Sequence, residues 1–354
     1  MNGHGPQVAK EVFRKSVTWL HLPQALLRLQ PGAAIILYHG VTDRTDGPDI
    51  QNYRRKHLSV PAFRKQIAFL KRNFRIVPLD ELMANLHAHR PLQRLASITF
   101  DDGYQNNFRV AWPILKELGV PFTVFVVTDF IENCEPLWMD RLEFSIGKSD
   151  APNVKIAIAG GDREFPLRTR EEKIRADLEL RSCLKRVPDS MRRELIEQIV
   201  EQTGVDMRSW PGFEPDYAPL SWKELREMVD SGLADVGAHT KTHAILTRLD
   251  PHDARAELSA SKRIIEERLA RPCGLFAYPN GQPGDFDDIT TRLVREAGFE
   301  GALTTVMGFV HPRSDPYALR RMTMDWTDNW DAFLVTISGI RALWRRLRLG
   351  LVER

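Results

Sequence analysis

Short apolar runs bounded by turn residues recur along the chain. Ile35-Ile36-Leu37-Tyr38, Leu95 to Phe100, Phe122 to Val127 behind Pro121, and Leu233 to Ala238 are all too short for helices. Length and bounding turns together predict buried strands. Between them lie segments of helical character: Phe63 to Leu70, Leu79 to Met83, a helix opened by Ser221 as its cap, and Ala254 to Leu269. Ala297 to Thr304 reads as a helix end running into a strand. The alternation breaks over residues 131 to 220, a charged segment whose Arg170 to Arg186 and Met191 to Gln202 read as helices. Ahead of Pro31, Val8, Val12, Phe13, Val17, Trp19 and Leu20 outline an amphipathic helical stretch, residues 1–30, interrupted by Pro23. The chain carries no internal repeat.

Two of the strands end in chemistry. Leu95 to Phe100 delivers Asp101 and Asp102, with Gly103 turning the chain; successive side chains on a strand face opposite ways, so the two carboxylates share a site only because the strand is ending. Their roles should therefore differ. Leu233 to Ala238 runs into His239-Thr240-Lys241-Thr242-His243, and the i, i+4 spacing puts both imidazoles on one face if the segment turns helically. Two imidazoles and one carboxylate suffice to hold a divalent metal with positions open for water and substrate, and leave the other carboxylate free as an acid or base.

With these motifs the chain resembles the polysaccharide deacetylase family, carbohydrate esterase family four, over about Ile35 to Met322 apart from the middle segment. Thr99 to Gly103 matches the first family motif and His239 to His243 the second; Phe276-Ala277-Tyr278-Pro279-Asn280-Gly281 resembles the third. The resemblance implies an α/β fold, a distorted (β/α)7-type barrel over residues 31–339 with residues 131–220 as a helical insertion, and a site at the carboxyl ends of the strands. It implies Asp101 as general base and Asp102, His239 and His243 as ligands of zinc or a similar ion, cobalt, nickel and iron being acceptable to the same donors. Asn280 takes the position whose backbone N–H helps form an oxyanion hole, and Tyr278 in the same segment is a candidate contact for the substrate. Ala277 replaces an Arg that orients the base in many members, and Arg321 is the candidate substitute. The subset typified by poly-N-acetylglucosamine deacetylases is circularly permuted, its first strand bringing the catalytic acid. That implies His39 as general acid; His87, His89 and His311 have no such role. The implied reaction removes N-acetyl groups from N-acetylhexosamine units. Deformylation, hydrolysis of another amide, and an inactive glycan-binding protein stand as alternatives.

Composition narrows the setting. A net charge of +3 is too small for a nucleic-acid footprint. Cys134, Cys183 and Cys273 lack zinc-finger spacing and leave an odd member, which favours free thiols in a reducing compartment. No secretory signal is read at the start of the chain, and no apolar run is long enough to span a bilayer. The segment 340–354 interleaves arginines with Leu and Trp344, which suits either peripheral contact with an anionic membrane surface or a terminal helix with a solvated basic face. The first reading places the protein in the cytoplasm at the inner membrane face, acting on a lipid-linked or nascent glycan. Trp138, beside Met139, Asp140 and Arg141, reads first as a packing anchor for the insertion and second as an aromatic stacking on a sugar ring.

Overall fold

Seven buried runs form the staves of a closed parallel barrel: β1 (Ala34–Tyr38), β2 (Leu95–Phe100), β3 (Phe122–Val126), β4 (Ala234–Ala238), β5 (Leu275–Ala277), β6 (Gly301–Met307) and β7 (Leu319–Thr323). The computed structural model describes residues 22–30, 32–44, 49–158, 161–207, 216–324 and 328–343. Neighbouring staves follow chain order, and β1 closes the ring by pairing with β2 from Ala34↔Ala96 to Tyr38↔Phe100 and with β7 at Ile36↔Met322 and Leu37↔Thr323. The expected (β/α)7-type barrel is the fold observed.

A strand alternates its side chains, so a barrel stave must satisfy two environments. Outward residues such as Ile36, Ile98, Phe100 and Val124 join one core with Phe63, Ile67 and Leu70 of the helix Val60–Asn73. Ile35, Phe125, Leu275, Leu303 and Leu319 form a second core with Leu79, Leu82, Met83 and Leu86 of the helix Leu79–His87. Both environments are dry, which is why β1, β2 and β3 are buried at every position and read as unbroken apolar runs.

The middle segment folds around its own cluster. Trp138, Leu142 and Ile146 of the helix Trp138–Lys148 pack with Leu180 and Leu184 of Arg170–Leu184 and with Leu195, Ile196 and Ile199 of Asp189–Thr203. It is not wholly helical. Asn153–Ile158 and Gly161–Pro166 pair as an antiparallel ribbon whose Val154, Ile156 and Phe165 face the cluster. Polar groups fasten the segment to the barrel side: Lys56 and the Tyr104 hydroxyl both donate to Asp140 (2.5 Å each) and the Tyr53 hydroxyl donates to Asp177 (2.6 Å), while within the segment Arg181 joins two helices by donating to Asp177 (2.6 Å) and Glu143 (2.9 Å).

At the termini, the helices Leu22–Leu29 and Trp330–Ile337 lie against each other. Residues 1–21, and the segment from Trp344 that carries most of the predicted membrane-contacting tail, lie outside the described residues. Of the tail's first residues, Ile340 and Ala342 are buried rather than presented outward. Among the described residues, no helix is long and apolar enough to cross a membrane.

Candidate active site

The end of β2 separates the two carboxylates. Asp101 still donates its N–H to Tyr38 O (3.0 Å), whereas Asp102 turns into the left-handed region at φ 74° and Gly103 follows at φ 91°. Glycine suits that second turn, and a Cβ there would also stand 3.3 Å from Val126 Cγ1. The reversal aims the two side chains at different partners.

Asp101 is gripped by Arg321 of β7 in a two-pronged pair, Nη1 to Oδ1 and Nη2 to Oδ2, both at 2.7 Å. Arg321 is fully buried and also donates through Nε to Thr304 O (2.8 Å), so the fork is held from behind. Burial is the largest single influence and raises the Asp101 pKa, but the charge and hydrogen bonds of Arg321 together with His239 and His39 outweigh it and keep the carboxyl below its ordinary range. Arg321 thus places a cation against Asp101 from β7, where Ala277 offers none.

Asp102 has no solvent exposure and neither of its oxygens accepts a geometrically sound hydrogen bond. Its Oδ1 instead faces His243 Nε2 at 3.3 Å and His239 Nε2 at 3.5 Å, and its Oδ2 faces His39 Nε2 at 4.0 Å. His239 Nδ1 lies 2.7 Å from Ala277 O. A carbonyl only accepts, so Nδ1 carries a proton, and the tautomer this selects for a metal ligand presents the Nε2 lone pair towards Asp102. A buried carboxylate facing such lone pairs, without a donor between them, is a place for a cation. One ligand atom from each of Asp102, His239 and His243 lies within 4.8 Å of the others, so the residues fit a divalent ion of the zinc type. Burial holds the His243 pKa below the ordinary histidine range, which favours the neutral ring that a metal ligand requires.

The His239 to His243 segment is not helical, contrary to the condition attached to its spacing. Thr240 (φ 62°) and His243 (φ 59°) adopt left-handed backbone, and this irregular loop brings the two rings to 5.0 Å between centroids. Glu257 holds the loop, accepting the N–H groups of Lys241 (2.8 Å) and Thr242 (2.9 Å) and the Thr242 hydroxyl (2.8 Å). Non-glycine residues at positive φ, here Asp102, Thr240, His243 and Asn280, gather at this site, where a strained backbone is over-determined by its surroundings. The other grouping of potential ligands among the described residues, Asp250, His252 and Asp253, is an exposed helix cap in which Asp250 accepts from the N–H groups of the other two.

His39 follows β1 and stands across the site, its carbonyl accepting from Asn107 Nδ2 at 2.8 Å. Gly40 beside it leaves no room for a side chain: a Cβ would come within 2.2 Å of His57 Nδ1 and 2.4 Å of Asn106 Oδ1. Asn280, at φ 61°, is fixed by its side chain, which accepts from Lys185 Nζ and donates to Asp285 Oδ2. Its backbone N–H donates to no acceptor among the described residues. His39, Asp101, His239, His243 and Asn280 line one cavity of about 460 Å³, and Asp102 lies buried beside it.

Two proposed contacts are corrected. Tyr278 is fully buried in the barrel wall, its ring stacked on Phe286 and its hydroxyl donating to Tyr317 O (3.0 Å), so it does not reach the cavity. Trp138 is buried in the inserted cluster with the Arg192 guanidinium 5.1 Å from its ring centre; it is the packing anchor, and its neighbour Met139 lines the cavity instead. Sequence reasoning missed Asn107, Glu257 and Lys185. Only Glu257 left a signal, an acidic residue within the periodic run Ala254 to Leu269.

The fold and the site together define a barrel with a buried Asp-His-His group that could hold a metal ion and an Arg-clamped carboxylate beside it. Residues 89–302 match the polysaccharide deacetylase family, and the chain belongs to it. YxkH of Bacillus subtilis strain 168, which carries a polysaccharide deacetylase name, is 19% identical over 266 residues, covering 75% of this chain. The matched region spans 64% of YxkH, less than two thirds of its length. Among solved structures, the Streptococcus pyogenes deacetylase PplD in complex with acetate superposes with a TM-score of 0.55 at 16% identity, covering 87% of this chain and 99% of that one. IcaB from Ammonifex degensii gives 0.54 at 18% identity, covering 88% and 98%. These likenesses establish the fold.

Proposed function

We propose that the protein is a metal-dependent N-deacetylase acting on N-acetylhexosamine units of a glycan or lipid-linked saccharide. The observation that carries this reading is the donor-free buried carboxylate of Asp102 between two imidazoles, with Asp101 clamped by Arg321 in the same cavity. Family membership supports an acetylated saccharide as substrate. The reading that the chain is circularly permuted relative to most members rests on β1, which brings His39 into the ring between β7 and β2.

A divalent ion held by Asp102, His239 and His243 would supply Lewis-acid polarisation of the acyl carbonyl and of water. Asp101, ionised and oriented by Arg321, accepts the proton of the attacking water. The Asn280 N–H donates to the oxygen that gains charge as the carbonyl is attacked. His39, as imidazolium, gives its proton to the departing nitrogen. The carbon–nitrogen bond breaks, and water is divided between acetate and the free amine. Activity requires Asp101 without its proton and His39 with one, so the pH profile is bell-shaped.

Acetate release from N-acetylglucosamine oligomers, with protein loaded in turn with zinc, cobalt, nickel or iron, tests the reading. One acetate for each amine formed is expected. Formate from N-formyl analogues without acetate from the parent oligomers supports the deformylase alternative. No acid from any N-acylated saccharide with any metal overturns the hydrolase reading. Retention of both acid–base candidates, Asp101 and His39, weighs against an inactive glycan-binding protein.

A further inference from the structure

The cavity wall built by the inserted segment and the preceding loop is cationic. Arg54 comes from the loop ahead of Lys56, and Arg181 and Lys185 from the end of the helix Arg170–Leu184; all line the cavity shared by His39, Asp101 and the two metal-site histidines. Arg181 is matched by Asp177 and Glu143. Lys185 is not matched in that way: it donates to the neutral Asn280 side chain, and no carboxylate among the described residues lies within ion-pair distance of its ammonium. Burial and the adjacent Arg54 and Arg181 push its pKa down to about 8. Asp177 and Glu143 offset part of the wall's charge, but Lys185 is held beside two guanidinium groups with no ion-pair partner of its own among the described residues, and an anion joining it would offset that cost. Among the described residues no Phe, Tyr or Trp lines the cavity. The wall therefore lacks the aromatic faces that commonly line small-molecule sites.

We propose that the Lys185 end of the cavity binds a phosphoryl group carried on the acetylated saccharide. Lys185 touches Asn280, whose N–H is assigned to the reacting carbonyl, so the anion sits on the reacting sugar or its immediate neighbour. A cavity of about 460 Å³ agrees with a compact ligand of that kind, since small-molecule sites run from about 300 to 1,000 Å³. Arg and Lys together suit phosphoryl oxygens, the guanidinium by its fork and the ammonium as a point charge. The location of the sugar rests on the deacetylase reading, whereas the preference for the anion does not.

Affinities measured on the full zinc-loaded chain carrying Asp101→Asn, which prevents turnover, test this. The probes are methyl N-acetylglucosaminide, N-acetylglucosamine 1-phosphate, and a short-chain prenyl phosphodiester of N-acetylglucosamine. One charged contact predicts that a phosphorylated probe binds about tenfold or more tightly than the neutral glycoside. Adding Lys185→Met brings the ratio towards one, and adding Lys185→Arg preserves it. Tighter binding of the diester than of the monoester assigns a lipid-phosphate source, and the reverse order a soluble sugar phosphate. Equal affinities for charged and neutral probes, or a ratio unmoved by Lys185→Met, would overturn the proposal. Because binding is read apart from acetate release, a failed phosphate preference leaves the deacetylase reading standing, and a failed hydrolysis assay leaves the preference measurable.

Discussion

Asp101→Asn is expected to lower kcat by roughly 10²- to 10⁴-fold, the usual contribution of a positioned proton acceptor, while the protein retains its metal. The amide is nearly isosteric and keeps one oxygen for the Arg321 fork, so the change removes basicity more than shape. The separation of effects follows from geometry. Asp101 is engaged by Arg321, whereas the imidazole nitrogens of His239 and His243 face Asp102. Steady-state acetate release paired with metal analysis of the same sample checks it. Loss of metal with retained activity would exchange the roles of the two aspartates.

Arg321→Met should be the most damaging single change to stability. It strands a buried carboxylate, and breaking a buried pair by removing one partner costs about 3–5 kcal/mol. The sign with pH is specific. In the parent protein Asp101 has a lowered folded pKa, so its contribution is present above the unfolded carboxyl value and is lost as pH falls through the lower folded one. Without Arg321, burial dominates and the folded pKa rises above the unfolded value. The variant is then least disadvantaged in acid, and its deficit grows as pH rises through the carboxyl range towards neutrality. Urea unfolding of chelator-treated protein at several pH values measures this, and the acid limb of the activity profile should move upward in parallel. A pH-independent deficit would assign Arg321 to packing alone.

Much of the barrel was legible because parallel staves buried on both sides read as mainly apolar runs, as in β1 to β3, with β4 interrupted by exposed Asp235. The later staves were harder to read. β5 is three residues long, too short to show a period, and β7 carries Arg320 and Arg321 in a run of five. Arg321 contradicts a buried strand by composition and is accommodated only because Asp101 and Thr304 O complete its hydrogen bonds. The ribbon Asn153–Ile158 with Gly161–Pro166 has alternating buried positions in its first strand, but its second is mostly charged and exposed, and the surrounding helices dominated the pattern.

The site divides along the same line. Asp101, Asp102, His239 and His243 stand out because ionisable residues directly follow buried strands, and His39 does so after β1. The loop geometry at His243 could not be read from spacing, since left-handed backbone at Thr240 and His243 is imposed by contacts such as those of Glu257. Lys185 was invisible because it closes a helix in a segment rich in charge, and only the tertiary fold carries it to Asn280.

The central claim is that Asp102, His239 and His243 hold one cation. Metal content and acetate release, measured together on the parent protein and on Asp102→Ala, His239→Ala and His243→Ala after reconstitution with zinc and removal of excess, test it most directly. The account predicts one equivalent of zinc with activity in the parent, and substoichiometric zinc with lost activity in each variant. Stoichiometric zinc and parent-level activity in the three variants would contradict it.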